Sequence, residues 1–410
     1  MSTGTKKRQK SVVIESGDGL GKIRKWLVLA TASILIFGAY LMQYQVSALA
    51  FLLIPQYSLS AVELSNLILI PMALAAVIGI PLGAAADRFG TRKVVGACIA
   101  VALVGAILRV VATSYATLLA AMLLIGFAPA AMNSNLMRLL GAWFKDRASF
   151  ALGIYYACSG LGAFVALASS ALIGSTRGAF ALSALLSAIA CCLWFALVAD
   201  SPAGEPIPRQ ENMRASLGVA ARCSAIWVIA LITGLSLAAK TAYLSFLPQV
   251  LGATLDASHA NLMASAVSVG GIVGCAAGPV MWSLFKRVKP AMVIITAVSG
   301  VLMAFSVSAL SPNVAVFFIV GCLASVMGPL VEAIPCHIPA IAGSVGSAGG
   351  IIGSVSLAMT YLIPLAISAL SGDSYVFISI AMAICFIAAI PLIISLPGVR
   401  AEDYAERDGD

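Results

Sequence analysis

The stretch that decides the fold is Gly83-Ala-Ala-Ala-Asp87-Arg88-Phe-Gly90-Thr-Arg92-Lys93. It lies between two apolar runs, at about 61–82 and 94–111, and each run is close to the ~20 residues with which a helix crosses a bilayer. The connection is short, and its two glycines allow the backbone angles of a tight reversal. The Asp87 carboxylate can accept hydrogen bonds from Arg88 or Arg92. The stretch therefore predicts a charged, tight loop between two membrane spans.

The composition extends this prediction to the whole chain of 410 residues. Hydrophobic residues make up 61% of the chain and charged residues only 10%, whereas a soluble protein has about a quarter charged residues. We therefore predict an all-α membrane protein with twelve transmembrane helices in two pseudo-symmetric six-helix bundles. The predicted spans are about 26–51, 61–82, 94–111, 116–140, 149–173, 179–199, 225–249, 259–284, 291–310, 313–334, 342–370 and 375–396.

A polar, proline-rich segment divides the spans into two sets of six. The predicted regions are a cytoplasmic N-terminal tail at 1–25, a first bundle at 26–199, a cytoplasmic linker at 200–222, a second bundle at 223–397 and a cytoplasmic C-terminal tail at 398–410.

The basic residues are distributed unevenly between the two sides of the membrane. With twelve spans, the tails and the linker share one side, and all but three of the 24 Lys and Arg fall on it. Two of the exceptions, Arg109 and Arg177, lie at the opposite face, and Lys240 lies within a span. Because loops rich in Lys and Arg stay in the cytoplasm, we predict a multi-pass protein of the cytoplasmic membrane with both termini inside.

Several classes of function are disfavoured. The nine cysteines are scattered without a CxxC pair, and the two histidines are far apart, so neither a zinc site nor a disulfide framework is expected. The net charge of +8 is explained by basic loops and does not indicate a nucleic-acid partner. No nucleophile, metal site or pair of acids suggests an enzyme. We expect a monomer in the lipid bilayer, without a cofactor.

The two sets of spans also share a short sequence motif at corresponding positions. Span 1 ends with Ile54-Pro55-Gln56, and span 7 ends with Leu247-Pro248-Gln249. The charged loop resembles the G-x-x-x-D-R-x-G-x-[RK]-[RK] signature between spans 2 and 3 of the major facilitator superfamily of secondary transporters. The resemblance implies two parallel repeats around a central axis and a cavity lined by spans 1, 4, 7 and 10.

Polar side chains within the spans are the candidates for substrate binding. Tyr40, Tyr44 and Ser47 fall at positions i, i+4 and i+7 of span 1, on one helical face, and their hydroxyls would be costly against lipid. Hydrogen bonds that serve helix packing alone would explain the same pattern. The other candidates are Gln43 in span 1, Asn133 in span 4, Tyr155 and Tyr156 in span 5, and Tyr243 in span 7.

Lys240 is the most informative single residue. It lies roughly 22 Å from the start of span 7 at 1.5 Å per residue, too deep for its ammonium group to reach the cytoplasmic interface easily. An ammonium at this depth needs a carboxylate partner, a water-filled cavity or an anionic substrate. We interpret it as the contact for a small organic anion, and the alternative is a structural ion pair.

The candidates for proton coupling or gating are charged residues on the cytoplasmic side. Glu332, in the cytoplasmic half of span 10 and beside several prolines, could bind and release a proton during transport, or could pair with Lys240 or a cytoplasmic arginine as a gate. Asp87, Arg88 and Arg92 of the loop complete this set. The expected partner of the substrate is therefore a proton or a counter-anion.

Other substrates remain open at this point. The stretch Trp143–Gly153, WFKDRASFALG, resembles the loop between spans 4 and 5 of anion-transporting porters. No arginine lies at mid-span, which disfavours a nitrate or nitrite porter, and span 5 lacks the proline-containing motif of drug antiporters. A ligand sensor would need an output domain, for which the tails and the linker are too short.

Glycines at helical spacing predict close helix contacts. Span 8 has Gly270, Gly274 and Gly278, and span 11 has Gly349 and Gly353, each four residues apart. Small residues at this spacing let helices approach and slide. We expect spans 2, 8 and 11 to contact the opposite bundle through such surfaces.

Overall fold

The computed structural model describes residues 4–144, 148–169, 175–200, 213–284, 288–308, 313–332, 334–338, 341, 345–372 and 374–396. Within these ranges the regular structure is helical, and twelve segments are long and apolar enough to cross a membrane. They lie within a few residues of the predicted spans, which confirms the all-α, twelve-span fold.

The helices follow the predicted spans, with a few additional breaks. Spans 4 and 12 each consist of two helices, joined at Gly126 and Ala388. The first helix begins at Gly4, well before the first span, and a short helix precedes span 7. In the first half the helices are Gly4–Ala48, Ala50–Tyr57, Ala61–Phe89, Thr91–Val111, Tyr115–Ile125, Phe127–Phe144, Ala148–Ser169 and Thr176–Leu197. In the second half they are Met213–Arg222, Ser224–Leu251, Ala257–Leu284, Val288–Ser308, Val314–Glu332, Val345–Leu370, Tyr375–Ile387 and Ala389–Ser395, with a 3-10 turn at Ile334–His337.

The spans alternate in direction. We call the side on which span 1 begins and span 12 ends the tail side, and the opposite side the far side. Span 1 packs against spans 5 and 6, and span 7 packs against spans 11 and 12. Between the halves, span 2 packs against span 11 and span 5 against span 8. The fold therefore places spans 1 and 7 inside, next to the central axis.

Each even-numbered span starts on the far side with a capping side chain. Such caps satisfy backbone N–H groups that the first helical turn leaves without partners. In span 8, the cap is Asp256, whose carboxylate accepts hydrogen bonds from the ring and the backbone of His259. The hydrogen bonds from His259 lower the pKa of the Asp256 carboxyl group. The caps are Ser60, Ser114, Ser175, Asp256, Asn313 and Ser374.

The loop after span 2 is shorter than predicted. The helix of span 2 continues through alanine-rich sequence to Phe89, and the next helix begins at Thr91. Gly90 alone stands between them, with a φ of 91°, and a Cβ atom there would lie 2.7 Å from the Asp200 carboxylate. Gly83 is part of the helix, because its alanine neighbours favour helix. One glycine therefore makes the reversal for which we expected two.

Arg92 connects this loop to the end of span 6. Its backbone N–H donates to the Asp200 carboxylate, and its guanidinium group donates to the carbonyl oxygen of Phe195. Its own carbonyl oxygen accepts a 2.9 Å hydrogen bond from Trp194 Nε1. The side chain of Asp87 lies outside the described part of the structure, so its hydrogen bonds with Arg88 or Arg92 stay a prediction.

Candidate functional site

Four of the predicted tyrosines come together between spans 1 and 5. The ring centroids of Tyr40 and Tyr44 are 6.2 Å apart, and those of Tyr155 and Tyr156 are 5.3 Å apart in an edge-to-face arrangement. Tyr155 of span 5 lies near Tyr40 of span 1. The Tyr156 hydroxyl lies 3.3 Å from the sulfur of Met137 in span 4. These four rings form an aromatic wall, the tyrosine cluster, inside the first half.

Two buried polar groups beside this cluster have no hydrogen-bond partner among the described residues. They are the hydroxyl of Tyr155 and the amide nitrogen of Gln43, in side chains that expose 1% and 4% of their surface. An unpaired buried polar group costs about 1–3 kcal/mol, so native proteins rarely keep one without a reason. Neither atom is exposed in this structure, so a ligand or water reaches them only when the surrounding side chains move.

Tyr44 of the tyrosine cluster faces span 7 of the other half. The side chain of Tyr44 lies near that of Thr241, the residue that follows Lys240. Lys240 itself is half-buried, and no ion pair joins it to any other side chain that the structure describes. The side chain of Glu332, its predicted alternative partner, lies outside those residues. Lys240 and Thr241 are therefore consecutive residues of the span that faces Tyr44.

The remaining candidates are placed differently. The Tyr243 hydroxyl is 2.6 Å from the Ser306 hydroxyl of span 9, inside the second half, so the structure does not bring Tyr243 together with the other tyrosines. Asn133 is half-buried in span 4. Arg88 lies over the ring of Phe89 at 5.2 Å, on the exposed tail side.

Span 1 is joined to the second half on the far side. Gln249 Nε2 donates to the backbone carbonyl of Ser47 at 2.9 Å, and Asn261 Nδ2 donates to that of Ala48 at 2.8 Å. The Ser47 hydroxyl donates to the carbonyl of Ser245. We call this set of contacts the far-side gate.

A second group of hydrogen bonds joins spans 2 and 11 on the same side. The hydroxyls of Ser65 and Ser368 are 2.6 Å apart. The Tyr361 hydroxyl donates to Asn66 Oδ1 at 2.9 Å, and Asn66 Nδ2 donates to the Tyr115 hydroxyl at 3.0 Å. These contacts and the far-side gate close the far side of the central region.

Open space borders several helices on the tail side. A methyl group added to any of five glycines near the tail-side ends of spans 4, 5 and 11 would meet no other atom within 4 Å. The hydrogen bonds between the halves that we find among the described residues lie in the middle of the membrane or on the far side. Among the described residues, the hydrogen bonds between the halves thus close the far side and none joins the halves on the tail side. The glycines are Gly141, Gly153, Gly349, Gly350 and Gly353.

The sequence did not reveal two parts of this arrangement. The gate residues Gln249 and Asn261 were not among the candidates, although Gln249 belongs to the Pro-Gln sequence that the two halves repeat. Arg109 was assigned to the far face, but its side chain exposes only 1% of its surface. A position near a helix end predicts depth in the membrane but not the direction in which the side chain points.

Comparison with known proteins identifies the architecture. The sequence model of the Major Facilitator Superfamily matches residues 31–361. The fold is similar to a crystal structure of a single-residue mutant of the nucleoside transporter NupG, with a TM-score of 0.71, 12% identity and coverage of 92% of this chain and 99% of that one. It is also similar to a bacterial homolog of the human lysosomal transporter Spinster in an inward-facing, unoccupied conformation, with a TM-score of 0.64, 15% identity and coverage of 93% and 96%. No curated protein sequence gives a match.

Proposed function

Because the chain belongs to the Major Facilitator Superfamily, we propose that this transporter carries a small organic anion across the cytoplasmic membrane by alternating access. The observation that carries the proposal is the half-buried Lys240 within span 7, next in sequence to Thr241, which lies near Tyr44 of the tyrosine cluster. An ammonium group in the middle of a span is retained where it meets an anion, a carboxylate side chain or water. A substrate carboxylate would supply the negative charge.

The surroundings of Lys240 favour a carboxylate attached to a ring. The tyrosine cluster offers aromatic faces and edges for an apolar ring, and aromatic pairs add about 0.5–1.5 kcal/mol to the burial of their surface. The hydroxyl of Tyr155 and the amide of Gln43, both buried and unpaired here, would become donors for an acceptor oxygen once the site opens. An inorganic anion such as nitrate would use Lys240 but would leave the rings without a role.

A neutral ring compound is the second candidate. The solved structure with the TM-score of 0.71 is a nucleoside transporter, and a nucleoside would use the same rings and the same amide and hydroxyl donors. It would leave the charge of Lys240 without a partner. Two further functions are efflux of a drug or metabolite and ligand sensing without transport. Neither accounts for both the charge of Lys240 and the tyrosine cluster.

A thermal-shift panel on the purified full-length chain tests the choice. We expect benzoate to raise the apparent Tm more than acetate or nitrate at equal concentration, and uridine to have no effect. A ligand that binds only the folded protein stabilises it by about 2.7 kcal/mol at a hundredfold excess over Kd. Stabilisation by uridine alone would support the neutral alternative, and stabilisation by nitrate alone would support an inorganic anion. Uptake of labelled benzoate into proteoliposomes then separates a transporter from a sensor.

Glu332 is the proposed proton-coupling residue. We expect Glu332→Gln to abolish benzoate accumulation driven by an imposed pH gradient, because glutamine keeps the shape of the side chain but cannot ionise. Exchange of internal for external benzoate should continue, since exchange needs no net proton movement. The measurement is uptake with and without the gradient. Unchanged accumulation in the variant would show that another group carries the proton or that the transporter exchanges anions.

The distribution of basic residues supports a cytoplasmic location for the tail side. We infer that the protein works as a monomer in the cytoplasmic membrane, and that the structure corresponds to the state that is closed toward the outside. Proteolysis of the tails in right-side-out and inside-out vesicles tests the orientation: only inside-out vesicles should expose them.

A further inference from the structure

Arg109 is a buried cation at the far end of span 3, enclosed by spans 1 and 6. Its guanidinium group donates to the backbone carbonyl of Met42 at 2.7 Å, to Gln45 Oε1 at 2.8 Å and to the Ser183 hydroxyl at 2.7 Å. The ring of Phe180 lies 4.2 Å from its central carbon atom. All of these partners are neutral, and no carboxylate among the described residues is paired with it.

A cation in this position is costly, since a buried charge without an opposite charge loses its hydration without full compensation. An apolar residue such as methionine would fill the same space without that cost. Only the hydrogen bonds of the guanidinium group distinguish Arg109 from such an apolar residue, so its role is expected to depend on them. Two of them hold span 1, at Met42 and Gln45.

Gln45 extends this anchor to span 6. While its side-chain oxygen accepts from Arg109, its side-chain nitrogen donates to the carbonyl of Ala179 at 3.1 Å. Span 1 is thus fixed to spans 3 and 6 by a short network of polar groups. Such a network fixes orientation as well as distance, because each group is held from two sides.

The anchor lies one turn before a break in span 1. The helix is interrupted at Leu49, which has φ −95° and ψ 6°, and the N–H of Leu52 bonds the Leu49 carbonyl instead of the Ala48 carbonyl four residues back. The carbonyls of Ser47 and Ala48 are instead occupied by Gln249 and Asn261 across the gate. The break thus exposes the acceptors on which the gate depends.

We propose that Arg109 is the positioning residue of the far-side gate. By holding Met42 and Gln45 against spans 3 and 6, it sets the direction in which the broken end of span 1 presents its carbonyls to Gln249 and Asn261. The role concerns closure of the far side and does not depend on which substrate is carried.

Hydrogen–deuterium exchange on the purified full chain tests this without a ligand. We expect Arg109→Met to speed exchange about tenfold in residues 42–57 and 245–261, because loss of the anchor raises the population of an open gate. Exchange in the tail-side part of span 7, residues 224–234, should not change. The matched control is Arg177→Met, since Arg177 lies on the same side at the start of span 6 but is less buried; it should change neither region.

Two further variants separate positioning from general stability. Gln45→Ala should have the same local effect as Arg109→Met, and the double variant should add nothing, because both act through one network. Arg109→Lys should restore part of the protection, since an ammonium group can still reach the Met42 carbonyl. If Arg109→Met does not fold, Gln45→Ala carries the test. Faster exchange throughout the chain, or no change at the gate, would overturn the proposal.

Discussion

Replacing Lys240 with alanine is expected to weaken benzoate binding by about 30- to 1000-fold, which corresponds to about 2–4 kcal/mol. The ammonium group provides the only charge that we assign to substrate recognition, and its removal would leave the carboxylate of a bound ligand in a poorly solvated site. The tyrosine cluster would still receive the ring, so binding should weaken without disappearing. The measurement is titration of benzoate by thermal shift and by uptake.

Two control variants test whether the effect comes from the charge of Lys240. Lys240→Arg should keep part of the affinity, because a guanidinium group retains the charge although its geometry differs. Lys93→Ala removes a lysine from the exposed tail side and should leave benzoate binding unchanged. Equal binding of benzoate by Lys240→Ala and the unmodified protein would remove Lys240 from the site and would favour a neutral substrate.

The twelve spans could be predicted from the sequence because the bilayer demands them. Every backbone polar group in the hydrocarbon core must form its hydrogen bond within the same segment. A run of about twenty apolar residues therefore forms a membrane-spanning helix. The loop at Gly90 was also predicted, although not its length. Hydropathy does not reveal where a helix ends when the residues beyond it, like those at 83–86, also favour helix.

The site was harder to predict, because sequence gives the depth of a residue in the membrane more reliably than its direction. Tyr40 and Tyr44 lie side by side on span 1, as the helical spacing predicted, and Tyr155 is buried in span 5; their role in substrate binding stays a prediction. Tyr243 lies on the same helix as Lys240, but its hydroxyl hydrogen-bonds Ser306 in span 9. Residues three positions apart on a helix differ in direction by about 60°, which is enough to give them different neighbouring helices. Arg109 lies at the far end of span 3 as expected, but its side chain is buried in the bundle, which depth alone does not reveal.

Glycine spacing was similarly ambiguous. Gly270 and Gly274 do permit a close approach, but to span 10 of their own half and not to the opposite half. Gly349 and Gly353, with the same spacing in span 11, border open space. Identical patterns thus have two different structural meanings, and this difference leads to the second large expected effect.

Gly274→Ala should destabilise the protein by about 2–3 kcal/mol, the cost of forcing extra volume into a packed interior. A Cβ atom at this position would lie 2.1 Å from the backbone carbonyl oxygen of Cys322. Because the obstacle is backbone, no side-chain rotation can relieve the contact, and spans 8 and 10 must separate. We expect a fall of about 3 °C in the apparent Tm of the purified protein.

Gly353→Ala provides the matched comparison, since it makes the same chemical change in a spanning helix. No atom beyond the backbone of its own helix lies within 4 Å of the position of its added methyl group, and alanine stabilises a helix interior by about 0.5–1 kcal/mol relative to glycine. The apparent Tm should therefore stay constant or rise slightly. If both variants lost stability to the same extent, glycine itself and not the contact with span 10 would be the common cause. The difference between the two variants is thus the measure of how closely spans 8 and 10 pack.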